Sequence, residues 1–169
     1  MVYAITDDVL APKGVITIEY YGKNPFSIYP RISRNLQVIF HARGKDIFED
    51  EFRWDVTADP NPFFIKVHLD KGLDKWTTMY IRLKIFGTQP TNPNKDGKMV
   101  LEISGDLITR YPTGTAWQKA IVTPFVWLYH HLIYNNIRRR YLKIGLEGIE
   151  KLETEFRSIL GLVMRERLA

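Results

Sequence analysis

The sequence predicts an α+β fold, an antiparallel β-meander with an early helical segment and a long C-terminal helix or helices. Three observations carry this. Between residues 15 and 107, short runs alternate apolar and polar side chains and are cut by Pro, Gly and Asn clusters. Residues 25–41 instead space apolar side chains by three and four, and the same helical spacing persists from Pro124 almost to the C-terminus.

The elements follow in order. Residues 1–14 form an N-terminal segment with no assigned element. Asp7 and Asp8 stand where a secretory leader would need a basic region and an apolar core, so a cytoplasmic protein is expected. Val15–Tyr21 sets Ile16, Ile18 and Tyr20 against Thr17, Glu19 and Tyr21, the pattern of a strand with one buried face. Pro25–His41 repeats Phe26, Tyr29, Ile32, Leu36, Ile39 and Phe40 at helical steps, entered through Asn24-Pro25, with Pro30 dividing it into two short pieces. A competing reading makes Leu36–His41 a strand turned through Gly44.

Asp46–Val56 places Phe48, Phe52, Trp54 and Val56 on one face and Glu49, Glu51, Arg53 and Asp55 on the other, with Asp50 as the odd residue on the apolar side. After the Asp59-Pro-Asn-Pro turn, Phe63, Ile65, Val67 and Leu69 mark a further strand. Trp76–Phe86 aligns Met79, Ile81, Leu83 and Ile85, and beyond a polar loop at 87–98 comes a strand carrying Met99, Leu101, Ile103 and Leu107. In the C-terminal stretch Tyr129, Ile133, Ile137, Tyr141 and Ile144 form one stripe, continued by Gly148, Leu152, Phe156, Ile159 and Val163. One unbroken helix there would be roughly 60 Å long, so a hinge is expected at Gly145 and Gly148. The chain thus divides into 1–14, a sheet with its early helix at 15–123, and a helical region at 124–169, all within one domain.

Composition narrows the function. The 169 residues include no cysteine, which removes disulfides, thiol nucleophiles and thiolate zinc sites. A hydrophobic content of 45% excludes a disordered chain, and 25% charged residues argue against a polytopic membrane protein. The net charge of +5 is uneven: residues 1–115 carry 15 Lys and Arg against 14 Asp and Glu, and residues 116–169 carry 9 against 5.

Motifs for chemistry are sparse. The histidines are His41, His68, His130 and His131, without metalloprotease spacing, and adjacent His130 and His131 point about 100° apart on a helix. No metal and no cofactor are expected. Ser27, Ser33, Ser104 and Ser158 lie outside any nucleophile elbow, and no glycine-rich phosphate loop is present. Asp50 is a candidate general base, though acceptance of hydrogen bonds near a sheet edge is the plainer reading. Arg138, Arg139 and Arg140, beside Tyr134 and Tyr141, are the candidates for an anionic partner, either nucleic acid or phospholipid headgroups. Consecutive helical residues fan around the axis, which favours structural or solvated roles for them. The uncharged run Ala120–Ile137, with Trp127 and Tyr129, suits an interfacial or core helix better than a membrane span, because Pro124, two histidines and two asparagines interrupt it.

The order of these elements over residues 15–161 resembles the helix-grip, or START-like, superfamily, which includes lipid-transfer domains, plant pathogenesis-related proteins and polyketide cyclases. Five strands are legible where that family usually has seven. The resemblance implies a curved sheet gripping the last helix over an apolar cavity. It implies a non-catalytic binding protein for a hydrophobic small molecule or lipid, with Phe48, Phe52, Trp54, Met79, Ile81, Leu83, Trp127 and Ile133 as candidate lining residues that serve equally as ordinary core. A rival reading is a cyclase- or hydrolase-like enzyme using Asp50 in the same cavity. A third is a nucleic-acid or membrane-surface module using Arg138–Arg140, and the distal C-terminal helix is also suited to pairing with a second copy of the chain.

Overall fold

In a computed structural model that describes residues 2–112 and 116–162, strand β1 (Val2–Asp8) leads to β2 (Ile16–Gly22). A 3-10 helix (Pro25–Arg31) and α1 (Ile32–Phe40) follow, then β3 (Ile47–Trp54), β4 (Asn61–Gly72), β5 (Thr77–Gln89) and β6 (Gly97–Pro112). Two helices complete the described chain, α2 (Ala116–Leu132) and α3 (Asn135–Ile159). The early helical segment is therefore two short pieces joined after Pro30, as its proline requires. Its end is fixed by His41 in the left-handed region (φ 50°), while the Lys71 ammonium bonds the Phe40 carbonyl.

The strands form one antiparallel sheet in the order β1–β6–β5–β4–β3. β5 occupies one edge of β6, and β1 and β2 lie end to end along the other, opposite residues 106–112 and 97–103. Val9 continues the ladder between them by donating to the Gly105 carbonyl at 2.9 Å. A strand thus stands where the sequence left an unassigned N-terminal segment. Its inward positions include Asp7, whose charge hides the alternation.

One side of the sheet is aliphatic and dry. Ile65, Val67 and Leu69 of β4, Met79, Ile81, Leu83 and Ile85 of β5, and Met99, Leu101 and Ile103 of β6 all lie buried beneath α1 and α3. Ile149, Leu152 and Phe156 of α3 fill the space above them. Glycine makes this approach close. A Cβ on Gly105 would lie 2.8 Å from Ile149 Cδ1, and one on Gly148 would lie 2.4 Å from the Phe40 ring.

β3 departs from simple alternation. Its register against β4 slips between Glu49 and Glu51, a β-bulge that reverses which residues face inward. Ile47 pairs with buried Leu69 and Phe48 with outward His68, whereas beyond the bulge Phe52 and Trp54 pair with buried Ile65 and Phe63. Phe48 therefore does not share a face with Phe52 and Trp54, and Asp50 lies on the outer side. A second correction concerns the helices. The expected start at Pro124 and hinge at Gly145 and Gly148 give way to a helix that begins at Ala116, a break at Ile133–Tyr134 and an α3 that runs through both glycines. The glycines serve close packing instead. Val163, assigned to the helical stripe, lies outside the described residues.

These placements give a direct contrast. Phe156→Ala, which empties a fully buried site, is expected to cost about 3–5 kcal/mol in urea unfolding. Phe48→Ala, on the outer face, should cost about 1 kcal/mol or less. Equal losses would contradict the reversal of phase at the bulge.

Candidate functional site

The inner face of the sheet changes chemistry at one end. Past Met79 and Leu107 the inward positions become Thr77 on β5 and Thr109 and Tyr111 on β6, all buried. In the β1–β6 register Tyr3, Ile5 and Asp7 lie beside them. The α2–α3 joint covers this end. Its inward side chains are His130, Tyr134, Arg138 and Tyr141, spaced by four, four and three so that they stay on one face across the break. Of the stripe read from the sequence, Tyr141 belongs to this inward face and Tyr129 packs at its rim against Trp76 and Tyr111, whereas Ile133, Ile137 and Ile144 are exposed, Ile133 to 67%. The reason is that polar and aromatic side chains on the helices find hydroxyl partners on this part of the sheet.

Those partners form an ordered chain. Tyr134 Oη lies 2.5 Å from Asp74 Oδ2 and 2.5 Å from Thr77 Oγ1, which lies 3.2 Å from Thr109 Oγ1. A phenol has one proton, and a carboxylate only accepts. Tyr134 therefore donates to Asp74, Thr77 donates to Tyr134, and Thr109 donates to Thr77. Asp74 also accepts the backbone N–H groups of Trp76 and Thr77, each at 2.8 Å. Burial pushes its carboxyl up, but the hydrogen bonds from Tyr134, Trp76 and Thr77 outweigh this and hold it below the usual carboxylate range. Burial, with the bond to Asp74, pushes the Tyr134 phenol well above its ordinary value.

Beside this chain lies a second group that is not fully satisfied. Tyr111 Oη is 3.0 Å from Nδ1 of His130, which is completely buried. Burial, reinforced by His131 and Arg138, lowers the His130 pKa, so the ring is neutral at neutral pH. Burial also raises Tyr111 to about 12 and keeps it protonated. The Tyr111 hydroxyl has His130 Nδ1 as its hydrogen-bond partner among the described residues, so assigning it as the donor leaves no phenol proton stranded and puts the proton of the neutral ring on Nε2. Arg138 pairs with Asp7 at 2.6 Å and reaches Asn135 Oδ1 at 3.1 Å, and both members of the ion pair act electrostatically on His130. Three buried atoms, His130 Nε2, Arg138 Nε and Asp7 Oδ2, have no hydrogen-bond partner among the described residues. Each such group costs about 1–3 kcal/mol unless something satisfies it. Around them the rings of Trp76, Tyr111, Tyr129 and Tyr134 meet mostly edge to face at 5.6–6.5 Å.

The residues singled out in the sequence are dispersed over the fold. Met79, Ile81 and Leu83 lie beneath α3 and are at most 1% exposed. Phe52 and Trp54 are across the sheet with Phe26, Tyr29 and Phe63, beside a surface cleft of about 510 Å³ that Phe52, Trp54, Phe63 and Phe64 help to line. Phe48 stacks on His68 on the outer face, where His68 Nδ1 also meets Asp50 Oδ2 at 2.7 Å. Trp127 is half exposed against His131, and Ile133 is exposed. Of the three arginines, Arg138 is engaged with Asp7, while Arg139 and Arg140 are exposed. Asp7, Asp74, Thr77, Thr109, Tyr111 and His130 escaped notice as a group, the one signal being the spacing of His130, Tyr134, Arg138 and Tyr141. Among the described residues no group of His, Asp and Glu is placed to hold a metal, and no helix is long and apolar enough to cross a membrane.

No protein-family model matches the chain, and neither does any curated protein. Solved structures with some similarity include a Staphylococcus aureus protein of unknown function, at 10% identity over 87% of this chain and 94% of that one, with a TM-score of 0.26. Truncated norcoclaurine synthase from Thalictrum flavum is 16% identical over 88% of this chain and 94% of that one, with a TM-score of 0.24. An uncharacterised protein from Rhizobium leguminosarum is 13% identical over 95% and 98%, with a TM-score of 0.20. Likenesses this slight identify neither ligand nor activity.

The hydroxyl chain makes stability depend on acid. A carboxyl with a lowered folded-state pKa stabilises the fold above its ordinary value of 3.8, and that contribution is lost as pH falls through the lowered value. Asp74→Asn should therefore flatten the loss of urea stability between neutral pH and about pH 3. Tyr134→Phe, which breaks the chain at its centre, should cost about 1–3 kcal/mol at neutral pH.

Proposed function

We propose that this protein is a non-catalytic binding protein for a small hydrophobic molecule or lipid that carries one polar group, received between the sheet and the α2–α3 joint. The observation that carries this reading is the trio His130 Nε2, Arg138 Nε and Asp7 Oδ2, buried and unpartnered among the described residues within an aromatic surround. Two of these atoms donate and one accepts. A hydroxyl or carboxamide complements all three, since its oxygen accepts from His130 and Arg138 while its hydrogen goes to Asp7. The apolar remainder of the ligand gains by burial, at about 0.8 kcal/mol per methylene.

Binding is favoured over catalysis by the state of the site's own groups. The hydroxyls of Tyr111 and Tyr134 are engaged with His130 and Asp74, and burial keeps both phenols protonated at neutral pH, so neither is a base or nucleophile there. Asp50, the acid–base candidate of the enzyme reading, stands on the opposite side of the sheet with His68.

Native mass spectrometry of the purified protein, followed by solvent extraction, should reveal a bound molecule of this kind. In a thermal-shift series of straight-chain alcohols and carboxamides, affinity is expected to rise about fourfold per added methylene until the site is filled. His130→Ala should weaken the best of them by about tenfold. Absence of both a co-purifying molecule and any stabilisation by the series would overturn the reading.

A further inference from the structure

We propose that α2 and the start of α3 dock the protein on the surface of an anionic lipid bilayer. The segment from Leu107 to Leu146 contains six Lys and Arg and no Asp or Glu. It also holds nine of the fifteen large hydrophobic side chains that are exposed among the described residues. On α2, Phe125, Leu128 and Leu132 recur at helical spacing, and Phe125 and Leu132 are about 70% exposed. On α3, Ile137 and Ile144 lie two turns apart, with exposed Arg140 between them on the same face. Hydrophobic side chains exposed singly are ordinary, but a continuous stripe along a helix marks a contact surface.

Charge decides what covers it. A second copy of the chain would bring two acid-free cationic segments together, and their repulsion opposes pairing. A nucleic acid would account for the arginines and for the exposed rings of Phe125 and Trp127, but not for the aliphatic Leu128, Leu132, Ile133, Ile137 and Ile144, which outnumber those rings and offer bases nothing to stack on. An anionic bilayer satisfies both features. The aliphatic and aromatic side chains enter the boundary between headgroups and acyl chains, while Arg139 and Arg140 meet the headgroups. Arg138 takes no part because it is held by Asp7. Since no described helix is long and apolar enough to cross a membrane, α2 lies in the plane of the surface. This docking does not depend on the presence of a ligand beneath α2.

The test is flotation of the 169-residue protein with vesicles of phosphatidylcholine alone and of phosphatidylcholine mixed with phosphatidylserine. The protein should bind the mixed vesicles at least about tenfold more tightly, and high salt should weaken that binding. The double variant Leu128→Ser, Leu132→Ser alters only exposed side chains. It should keep the wild-type circular dichroism and melting midpoint and lose vesicle binding. Arg139→Ala with Arg140→Ala should lower affinity by at least about tenfold, as each cation near an anionic surface contributes about fivefold. If the serine variant unfolds, Phe125→Ser replaces it with the same expectation. The proposal is overturned if the wild type ignores both vesicle types, if binding survives both double variants, or if the protein dimerises through this surface in sedimentation equilibrium and does not float. Tight binding to a single-stranded oligonucleotide without binding to vesicles also overturns it.

Discussion

Ile149 of α3 rests on Gly105 of β6 so closely that a single methyl group at the glycine would collide with it, and Gly148 receives the Phe40 ring from α1 in the same way. This contact between helix and sheet sets the position of nearly everything else. It allows Leu152 and Phe156 to reach the aliphatic face of β4–β6, holds α1 against α3, and leaves Val9 and Leu10 buried where β1 gives way to β2. Because α3 is continuous through both glycines, it also fixes where the α2–α3 joint falls, over the far end of the sheet.

Two chemistries divide the inner face in consequence. Beneath the middle of α3 the interior is close-packed hydrocarbon, stabilised by apolar burial alone. Beneath the joint it consists of hydroxyls, aromatic rings and one ion pair, for which burial is favourable only when each polar atom has a partner. The chain from Thr109 through Thr77 and Tyr134 to Asp74 is satisfied and directional, and gives that end of the fold a defined geometry. In the neighbouring group of His130, Arg138 and Asp7, three buried polar atoms have no partner among the described residues, and it is there that the proposed function places a ligand's polar group.

α2 expresses the same division on its two sides. His130 is buried toward the sheet, whereas Phe125, Leu128 and Leu132 face away from it. A helix in a water-soluble domain ordinarily buries its apolar stripe. At the joint the side chains turned to the sheet, His130, Tyr134 and Arg138, are polar because the sheet beneath them offers hydroxyls and Asp7, while Phe125, Leu128 and Leu132 are left outside within an acid-free, cationic segment. The two functional proposals address opposite surfaces of this helix and can fail separately.

The period-two runs of β4, β5 and β6, the two-piece early helix and the buried run Gly148, Leu152 and Phe156 were legible from the sequence alone, because in each the hydrophobic period coincides with a face that is truly buried. β1 was not, since inward Asp7 breaks its pattern, and neither was the bulge in β3, which shifts Phe48 to the outer face without any residue type announcing it. The α2–α3 stripe was misread because hydrophobicity was taken to mark the inward side. Only the tertiary structure could decide the candidate site: Tyr134 finds Asp74 from 60 residues away, and Arg138 finds Asp7 from 131. Local spacing determines which residues share a face, whereas the choice of which face is buried belongs to partners distant in the chain, and here those partners are polar.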